Sequence, residues 1–367
     1  MKGKGKAEKQ VLPREGIRIQ SGYHSPQLDV KVKLNTNESP AGPPDNFSDA
    51  LVQKLNTISW NRYPDRRATA LRSALAELHG VVKENVFVAN GSNEVLQTIL
   101  LAYGGHERTA AVFEPTYLLY NHICNLTSTN IIGFPRKSDF SIDLDRLDDV
   151  FATSPDIIFI CSPNNPTGKL EETEVLTEIL QRSKALVVVD EAYGQFSSFS
   201  AVDLLSDYKS LIVVRTYSKT WALAGLRLGY ALCDQAISDV LWEVALPYHL
   251  DSFKQAAGEI ALRDAAAMQE RVAFLVSERE RISEGLLQMG FDVVASQANF
   301  ILFGSEVIDA KLLWHALVEQ GILVRDVTSF PKIGNRLRVT VGSHDENSLF
   351  LKALQQIIRE KKVYYSR

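Results

Sequence analysis

The segments that decide the fold are LVVVDEAY at residues 186–193 and LIVVRTYSK at residues 211–219. In each segment four aliphatic residues are followed at once by polar ones, which is typical of a strand buried on both faces of a parallel sheet. Three further apolar runs have the same pattern, at residues 86–88, 110–113 and 157–160. Segments with helical spacing separate these runs, for example residues 68–78 and 173–180. The middle of the chain is therefore predicted to be a doubly wound α/β domain.

The chain beyond residue 264 has a different pattern. A long, highly charged helix is predicted over residues 264–287, and strand candidates at 300–303 and 337–340 flank another helix. Because 367 residues are more than one hydrophobic core usually organises, we expect this region to form a second, smaller α+β domain.

Composition excludes several classes of protein. Lys plus Arg number 40 and Asp plus Glu number 44, so the net charge of −4 gives no positive field for nucleic acid or anionic lipid. No apolar run approaches the ~18 residues that a membrane span requires. Cys124, Cys161 and Cys233 are far apart and lack metal-type His spacing, which argues against a disulfide framework or a zinc site. We expect a cytoplasmic protein without metal, nucleic-acid or membrane partners.

Polar side chains follow the predicted strands, at the edge where a doubly wound sheet binds its ligands. Taken alone, Lys219 or Asp190 is better explained by a plain ion pair. Together they suit Schiff-base chemistry, which needs an amine that can become neutral and a buried carboxylate that keeps a pyridine nitrogen protonated. Asn165 and Tyr193 would then hydrogen-bond a phenolate oxygen on the same ring.

A phosphate group would need donors and positive charge at the same edge. The turn at residues 90–94, NGSNE, lies between a strand and a helix, where free N–H groups and the helix dipole favour an anion. A simple helix cap explains this turn as well, but Ser218 and Arg227 could complete the same phosphate site. Tyr117 could stack on a planar cofactor or pack in the ordinary way.

At these residues the sequence resembles the fold-type I pyridoxal-phosphate (PLP) aminotransferases, and within them the histidinol-phosphate aminotransferases. The motifs that carry the resemblance are YHSPQ (23–27), LNTNESP (34–40), RYPD (62–65), NGSNE (90–94), NPTG (165–168), DEAY (190–193), SK (218–219), LRLGY (226–230) and LRVTVG (337–342). The central motifs are shared by many aminotransferases and related lyases. The N-terminal pattern, the RYPD segment and the final arginine strand point to the subfamily.

The resemblance implies a role for each of these residues. Lys219 would be the Schiff-base lysine and proton shuttle, and Asp190 the partner of the pyridine nitrogen. Asn165 and Tyr193 would donate to the cofactor hydroxyl, and Tyr117 would stack on the ring. The residues that would bind the cofactor phosphate are Ser92, Asn93, Ser218 and Arg227.

The resemblance also implies a homodimer, because Tyr63 would reach the phosphate of the other subunit's cofactor. Tyr23 and Asn37 would contact the substrate. The implied fold is a large doubly wound mixed-sheet domain plus a small α+β domain. Three parts of the chain are expected: an N-terminal arm over residues 1–33, a large PLP-binding domain over 34–262 and a small C-terminal domain over 263–367. The arm would have a mobile basic start, and the rest of it would pack on the small domain and the partner subunit.

The implied reaction moves an amino group between L-histidinol phosphate and 2-oxoglutarate, in histidine biosynthesis, through a pyridoxamine form of the cofactor. Its anions need cationic anchors, and Arg338 and Arg325 are the candidates, each of which a surface ion pair could also explain. Ala41 departs from the family pattern at part of the substrate pocket. Aromatic amino-acid aminotransferases and threonine-phosphate-type decarboxylases share the cofactor motifs and remain alternatives. A PLP-sensing domain of a transcription regulator is disfavoured, since only about thirty residues precede the matching region.

Overall fold

The structure is a computed structural model that describes residues 11–12, 27–360 and 363. Its strands are β1 (Val32–Leu34), β2 (Val86–Ala89), β3 (Thr109–Glu114), β4 (Asn130–Pro135), β5 (Ile157–Cys161), β6 (Leu186–Asp190), β7 (Leu211–Thr216), β8 (Gly229–Cys233), β9 (Asp292–Val293), β10 (Phe300–Gly304), β11 (Ile322–Asp326) and β12 (Arg336–Thr340). Its α-helices are α1 (Asn46–Leu55), α2 (Thr69–His79), α3 (Ser92–Tyr103), α4 (Leu119–Thr127), α5 (Leu147–Ala152), α6 (Thr173–Arg182), α7 (Gln235–Val244), α8 (Ser252–Leu262), α9 (Ala265–Gln288), α10 (Ala310–Glu319) and α11 (His344–Glu360).

The larger sheet has seven strands in the order β2-β8-β7-β6-β5-β3-β4. Strands β4, β3, β5, β6 and β7 pair in parallel, whereas β8 runs antiparallel to both β7 and β2. The continuous apolar runs form its centre, because helices cover both faces and leave no position for a polar side chain until each strand ends. The register places Cys161 beside Asp190 at that end.

Strand β8 passes very close to the start of α3. A Cβ atom at Gly229 would lie 2.3 Å from the backbone nitrogen of Ser92, a distance that no side chain can occupy. Glycine at position 229 therefore permits the contact that brings the NGSNE turn to the edge of the sheet.

The smaller sheet has five strands in the order β1-β11-β12-β10-β9. Strand β1 pairs in parallel with β11, while β11, β12, β10 and β9 are antiparallel neighbours. Its core packs Phe300 and Phe303 of β10 with Phe350 of α11. Strand β1 spans the predicted limit at residue 33 and joins this smaller sheet. The division of the chain at residues 33 and 262 stays a prediction.

A third, small apolar cluster lies where the two sheets meet. It joins Phe140 from the connection after β4 to Leu302, Val327, Phe330 and Ile333 of the smaller domain. No helix in the described part of the chain combines the length and hydropathy needed to cross a membrane.

Candidate active site

The carboxyl ends of β5, β6 and β7 open into a cavity of about 360 Å³, which lies within the size range of small-molecule sites. The start of α3, the segment after β1 and strand β12 close its sides. The predicted site residues that line it are Asn37, Ser92, Asn93, Tyr117, Asn165, Asp190, Tyr193, Ser218, Lys219, Arg227 and Arg338. Asn37 and Arg338, which are 301 positions apart in sequence, are therefore brought to one cavity.

Lys219 follows β7 directly and projects its amine into this cavity. Its Nζ donates a hydrogen bond to the backbone oxygen of Thr36 at 3.0 Å. Burial and, to a smaller extent, the positive charge of Arg338 together lower the pKa of Lys219 to about 7. Near neutral pH a large fraction of the amine is therefore uncharged, as a nucleophilic lysine requires.

Asp190 ends β6 and is almost completely buried. Its Oδ1 accepts from the backbone N–H of Ala192 at 3.1 Å, and its Oδ2 accepts from the hydroxyl of Tyr120 at 3.0 Å. Burial raises the pKa of Asp190 to about 6, although both hydrogen bonds oppose that rise. The carboxylate form therefore dominates at neutral pH, in a place where it can pair with a cationic ring nitrogen.

The turn before α3 forms an anion cradle with the arginine that follows the lysine loop. Gly91 has a φ of +86°, and a Cβ atom there would lie 2.8 Å from Nη2 of Arg227. Nη1 of Arg227 donates to Oγ of Ser218 at 3.3 Å. Free backbone N–H groups at the helix start and a neighbouring guanidinium match the charge and geometry of a phosphate group.

The phenol rings of Tyr117 and Tyr193 both line the cavity. The ring of Tyr117 packs edge-on against Tyr120, and its hydroxyl donates to Oδ1 of Asn93 at 3.4 Å. On the other side, the hydroxyl of Tyr193 accepts from Nδ2 of Asn37 at 2.9 Å. These contacts fix two phenol rings at the cavity wall, where a flat aromatic ligand would lie.

Arg338 brings a second positive charge from β12. Its guanidinium is buried and donates to Oδ1 of Asn165 at 2.5 Å and to the backbone oxygen of Asn35 at 2.9 Å. The guanidinium carbon also lies 5.1 Å from the centre of the Phe300 ring. A guanidinium held in this way at the cavity wall is suited to grip an anionic substrate group.

Comparison with known proteins identifies the family. Residues 29–354 match the family described as Aminotransferase class I and II. The histidinol-phosphate aminotransferase of Corynebacterium diphtheriae is 41% identical over 362 residues, covering 95% of this chain and 96% of that protein. The histidinol-phosphate aminotransferase of Mycobacterium marinum is 44% identical over 355 residues, covering 94% of this chain and 92% of that protein. The chain belongs to the class I and II aminotransferases.

The fold of this aminotransferase is also found among solved structures. Histidinol-phosphate aminotransferase from Sinorhizobium meliloti, in complex with pyridoxal-5'-phosphate, superposes with a TM-score of 0.83 at 22% identity. The match covers 90% of this chain and 92% of that one. The predicted fold-type I architecture and the predicted family resemblance are both confirmed.

Two predicted site residues of this aminotransferase do not line the cavity, and the position of a third is not described. Tyr63 is 80% exposed and stacks on Tyr248, with 4.6 Å between the ring centres. Arg325 is buried on β11, opposite Arg338 in the strand register, but it does not belong to the residues that line the cavity. Tyr23 lies outside the described residues. Their predicted roles stay predictions.

Several residues of the site were not predicted from the sequence. Thr36, Glu38, Cys161 and Thr216 also line the cavity, and Tyr120 contacts Asp190 from beneath it. Cys161 and Thr216 could have been found, since each lies at the end of a predicted strand. Among the described residues, no three His, Cys, Asp or Glu side chains are grouped as metal ligands.

Proposed function

We propose that this aminotransferase binds PLP on Lys219 and moves the amino group of L-histidinol phosphate to 2-oxoglutarate, giving imidazole acetol phosphate and L-glutamate in histidine biosynthesis. The observation that carries the proposal is the meeting of Lys219, Asp190 and Arg338 in one cavity. The names and identities of the two relatives support the substrate. We propose a cytoplasmic location, which the three buried, unpaired cysteines support.

The donor set of the cavity fits PLP. The cradle of Gly91, Ser92 and Arg227 suits its phosphate, and Asp190 suits its ring nitrogen. Tyr193 and Asn165 supply polar groups for its ring hydroxyl, and the phenol of Tyr117 suits its ring face. Bound PLP supplies an electron sink for the pair of electrons released at the substrate carbon.

The chain's own groups manage the proton. Lys219 has its pKa lowered to about 7, so its Nζ can take a proton from the substrate carbon and return it nearby without a large energy cost. Asp190 keeps a negative charge in the cavity, and this charge would hold a proton on the ring nitrogen of the cofactor. The two buried groups thus divide the work between base and charge stabiliser.

The charged side chains at the cavity wall suit a substrate that has a phosphate group and a basic ring. Arg338 provides a cation for the substrate phosphate and, in the other half-reaction, for a carboxylate of glutamate. Glu38 lines the same cavity, and its negative charge acts on Lys219. A carboxylate at that position suits the N–H groups of an imidazole ring.

We also propose that the active unit is a homodimer with composite sites. Tyr63 is a large aromatic residue with most of its surface exposed, and Trp60 (69% exposed) and Leu246 (77% exposed) belong to neighbouring loops. The loop that contains Tyr248 is tied to the phosphate turn, because Nδ2 of Asn90 donates to the backbone oxygen of His249 at 3.0 Å. A second copy of the chain covering these side chains would bring its Tyr63 toward the cofactor phosphate.

A panel of amino donors tests the proposal. The PLP-loaded enzyme is supplied with 2-oxoglutarate and either histidinol phosphate, phenylalanine or threonine phosphate, and glutamate and carbon dioxide are both measured. We expect glutamate to form fastest with histidinol phosphate. Faster transfer from phenylalanine would favour an aromatic aminotransferase, and carbon dioxide from threonine phosphate would favour a decarboxylase.

A further inference from the structure

Tyr120 on α4 lies directly beneath the cofactor cavity and is 1% exposed. Its ring stacks on Phe159 of β5, with ring centres 4.9 Å apart and an angle of 12° between the planes. The edge of the ring meets Tyr117 at 5.6 Å. Its hydroxyl donates a hydrogen bond to Oδ2 of Asp190 at 3.0 Å.

We propose that Tyr120 is a positioning residue for the cofactor, which aims the Asp190 carboxylate and keeps it ionised for the pyridine nitrogen. The inference rests on the proposed function, because it assumes that a PLP-type ring occupies the cavity. Tyr120 lies outside the sequence motifs that predicted the site. Its proposed role is to act on the cofactor through Asp190, without contacting the substrate.

The geometry leaves the carboxylate no freedom to turn. Oδ1 is held by the backbone N–H of Ala192 and Oδ2 by Tyr120, so both oxygens have a fixed donor. Tyr120 itself cannot rotate away, since Phe159 and Tyr117 hold its ring on two sides. Removing the hydroxyl would leave Oδ2 buried with one donor fewer, which is a costly state for a charged oxygen.

The charges around Asp190 make the Tyr120 hydrogen bond important. The net pKa of Asp190 is raised to about 6, because burial and, to a smaller extent, the charge of Glu191 outweigh the hydrogen bond from Tyr120, which lowers it. Glu191 is itself paired with Arg215 of β7 at 2.7 Å. Without the Tyr120 hydroxyl, the pKa of Asp190 is therefore expected to rise toward neutrality.

Other ionisable side chains also lie near Asp190. Burial raises the pKa of Cys161 to about 12, and it raises the pKa of Tyr120 well above its ordinary value, so both stay protonated. Lys219, Arg227 and Arg338 line the same cavity as Asp190. The pKa of Lys219 is lowered to about 7, and the experiment must exclude its contribution.

The test measures binding of pyridoxamine 5'-phosphate, which forms no covalent bond to Lys219, to the cofactor-free full chain. Equilibrium dialysis between about pH 5 and pH 9 gives the dissociation constant for wild type and Tyr120→Phe. Wild-type affinity should fall as the pH drops through about 6. The Tyr120→Phe profile should begin to fall at higher pH and reach affinities roughly tenfold weaker, and the two profiles should converge in alkaline solution.

Two controls separate positioning from packing. Tyr208→Phe removes a tyrosine hydroxyl that accepts a hydrogen bond from Gln181 at the surface, and it should leave the profile unchanged. In an Asp190→Asn background the pH-dependent difference between Tyr120 and Phe should disappear. An unchanged profile in Tyr120→Phe would overturn the inference, and so would an equal loss at every pH in both backgrounds. If the wild-type chain bound no pyridoxamine 5'-phosphate at any pH, the proposed function itself would fail.

Discussion

Nη1 of Arg338 donates a hydrogen bond to Oδ1 of Asn165, with 2.5 Å between the two atoms. Arg338 belongs to β12 of the smaller sheet, whereas Asn165 follows β5 of the larger one. This bond therefore couples the proposed substrate anchor to a proposed cofactor contact across the junction of the sheets. A change at either residue should affect both functions.

Truncating Arg338 should weaken both half-reactions. Arg338→Ala removes the buried cation that the phosphate and the carboxylate share, and we expect a loss of about 2–4 kcal/mol in transition-state stabilisation for each half-reaction. The check is kcat/KM for histidinol phosphate and for glutamate. An aromatic amine without an anion should be a poor substrate in wild type and little affected by the change. Unchanged rate constants at subsaturating substrate would remove Arg338 from the site.

A second arginine offers a graded comparison. Arg325 lies beside Arg338 in the strand register and is predicted to add a contact to the substrate phosphate. Arg325→Ala should therefore reduce kcat/KM for histidinol phosphate more than for phenylalanine. Equal losses for the two substrates would indicate that Arg325 supports the fold of the smaller sheet and not the phosphate.

Attachment of PLP to Lys219 should depend on pH near neutrality. Because the pKa of Lys219 is lowered to about 7, the neutral amine becomes the main form as the pH rises through that value. The rate at which PLP added to the cofactor-free chain develops its visible absorption band should rise over the same interval. Lys219→Ala should show no covalent band, and borohydride should label no other lysine. A rate that rises only near the ordinary pKa of lysine would contradict the assignment.

Asp190→Asn should lose at least about a hundredfold in turnover, because a neutral partner no longer stabilises the charge that develops on the ring. Turnover is compared at equal PLP content, measured by absorbance after release of the cofactor in alkali. Near-normal turnover in a fully loaded Asp190→Asn enzyme would rule out the proposed role of this carboxylate.

The central strands could be predicted because strands that are buried on both faces have unbroken runs of apolar residues. The runs at residues 157–160, 186–189 and 211–214 are confirmed as parts of β5, β6 and β7. Strand β4 (Asn130–Pro135) was missed, since it lies at the edge of the sheet and its residues are mostly half-buried, with a glycine and a proline among them. The antiparallel β8 was not among the predicted runs either, although a mixed sheet was expected from the family resemblance.

The residue patterns alone predict only those site residues that lie at the ends of strands. Lys219 and Asp190 each follow an apolar run, so their meeting follows from parallel strands ending at one edge. The Tyr120–Asp190 bond joins residues 70 positions apart, and the Lys219–Thr36 bond joins residues 183 positions apart. Such contacts depend on how helices and segments pack on the sheet, which a pattern of apolar residues does not specify.

Mixing two impaired chains should raise the activity above that of either chain alone if Tyr63 acts across a dimer. A Lys219→Ala chain and a Tyr63→Phe chain, unfolded and refolded together, should form heterodimers in which one site has both residues. Random pairing gives both residues at about a quarter of all sites, so activity should exceed that of either parent when Tyr63→Phe alone retains less than about a third of wild-type activity. The control mixes wild type with the variant that has both changes. In that mixture the heterodimers contain no intact site, and only wild-type homodimers do. A strictly monomeric protein in light scattering would exclude composite sites.

The most direct test of the proposed function is a single turnover of the PLP-loaded enzyme with histidinol phosphate in the absence of any acceptor acid. Loss of the visible band in a stopped-flow spectrometer gives the rate, and mass spectrometry identifies the products. We predict one equivalent of imidazole acetol phosphate per site, the cofactor recovered in its pyridoxamine form, and a rate constant for histidinol phosphate well above that for phenylalanine. An unchanged cofactor, or faster conversion with phenylalanine, would contradict the assignment of histidinol phosphate as the substrate.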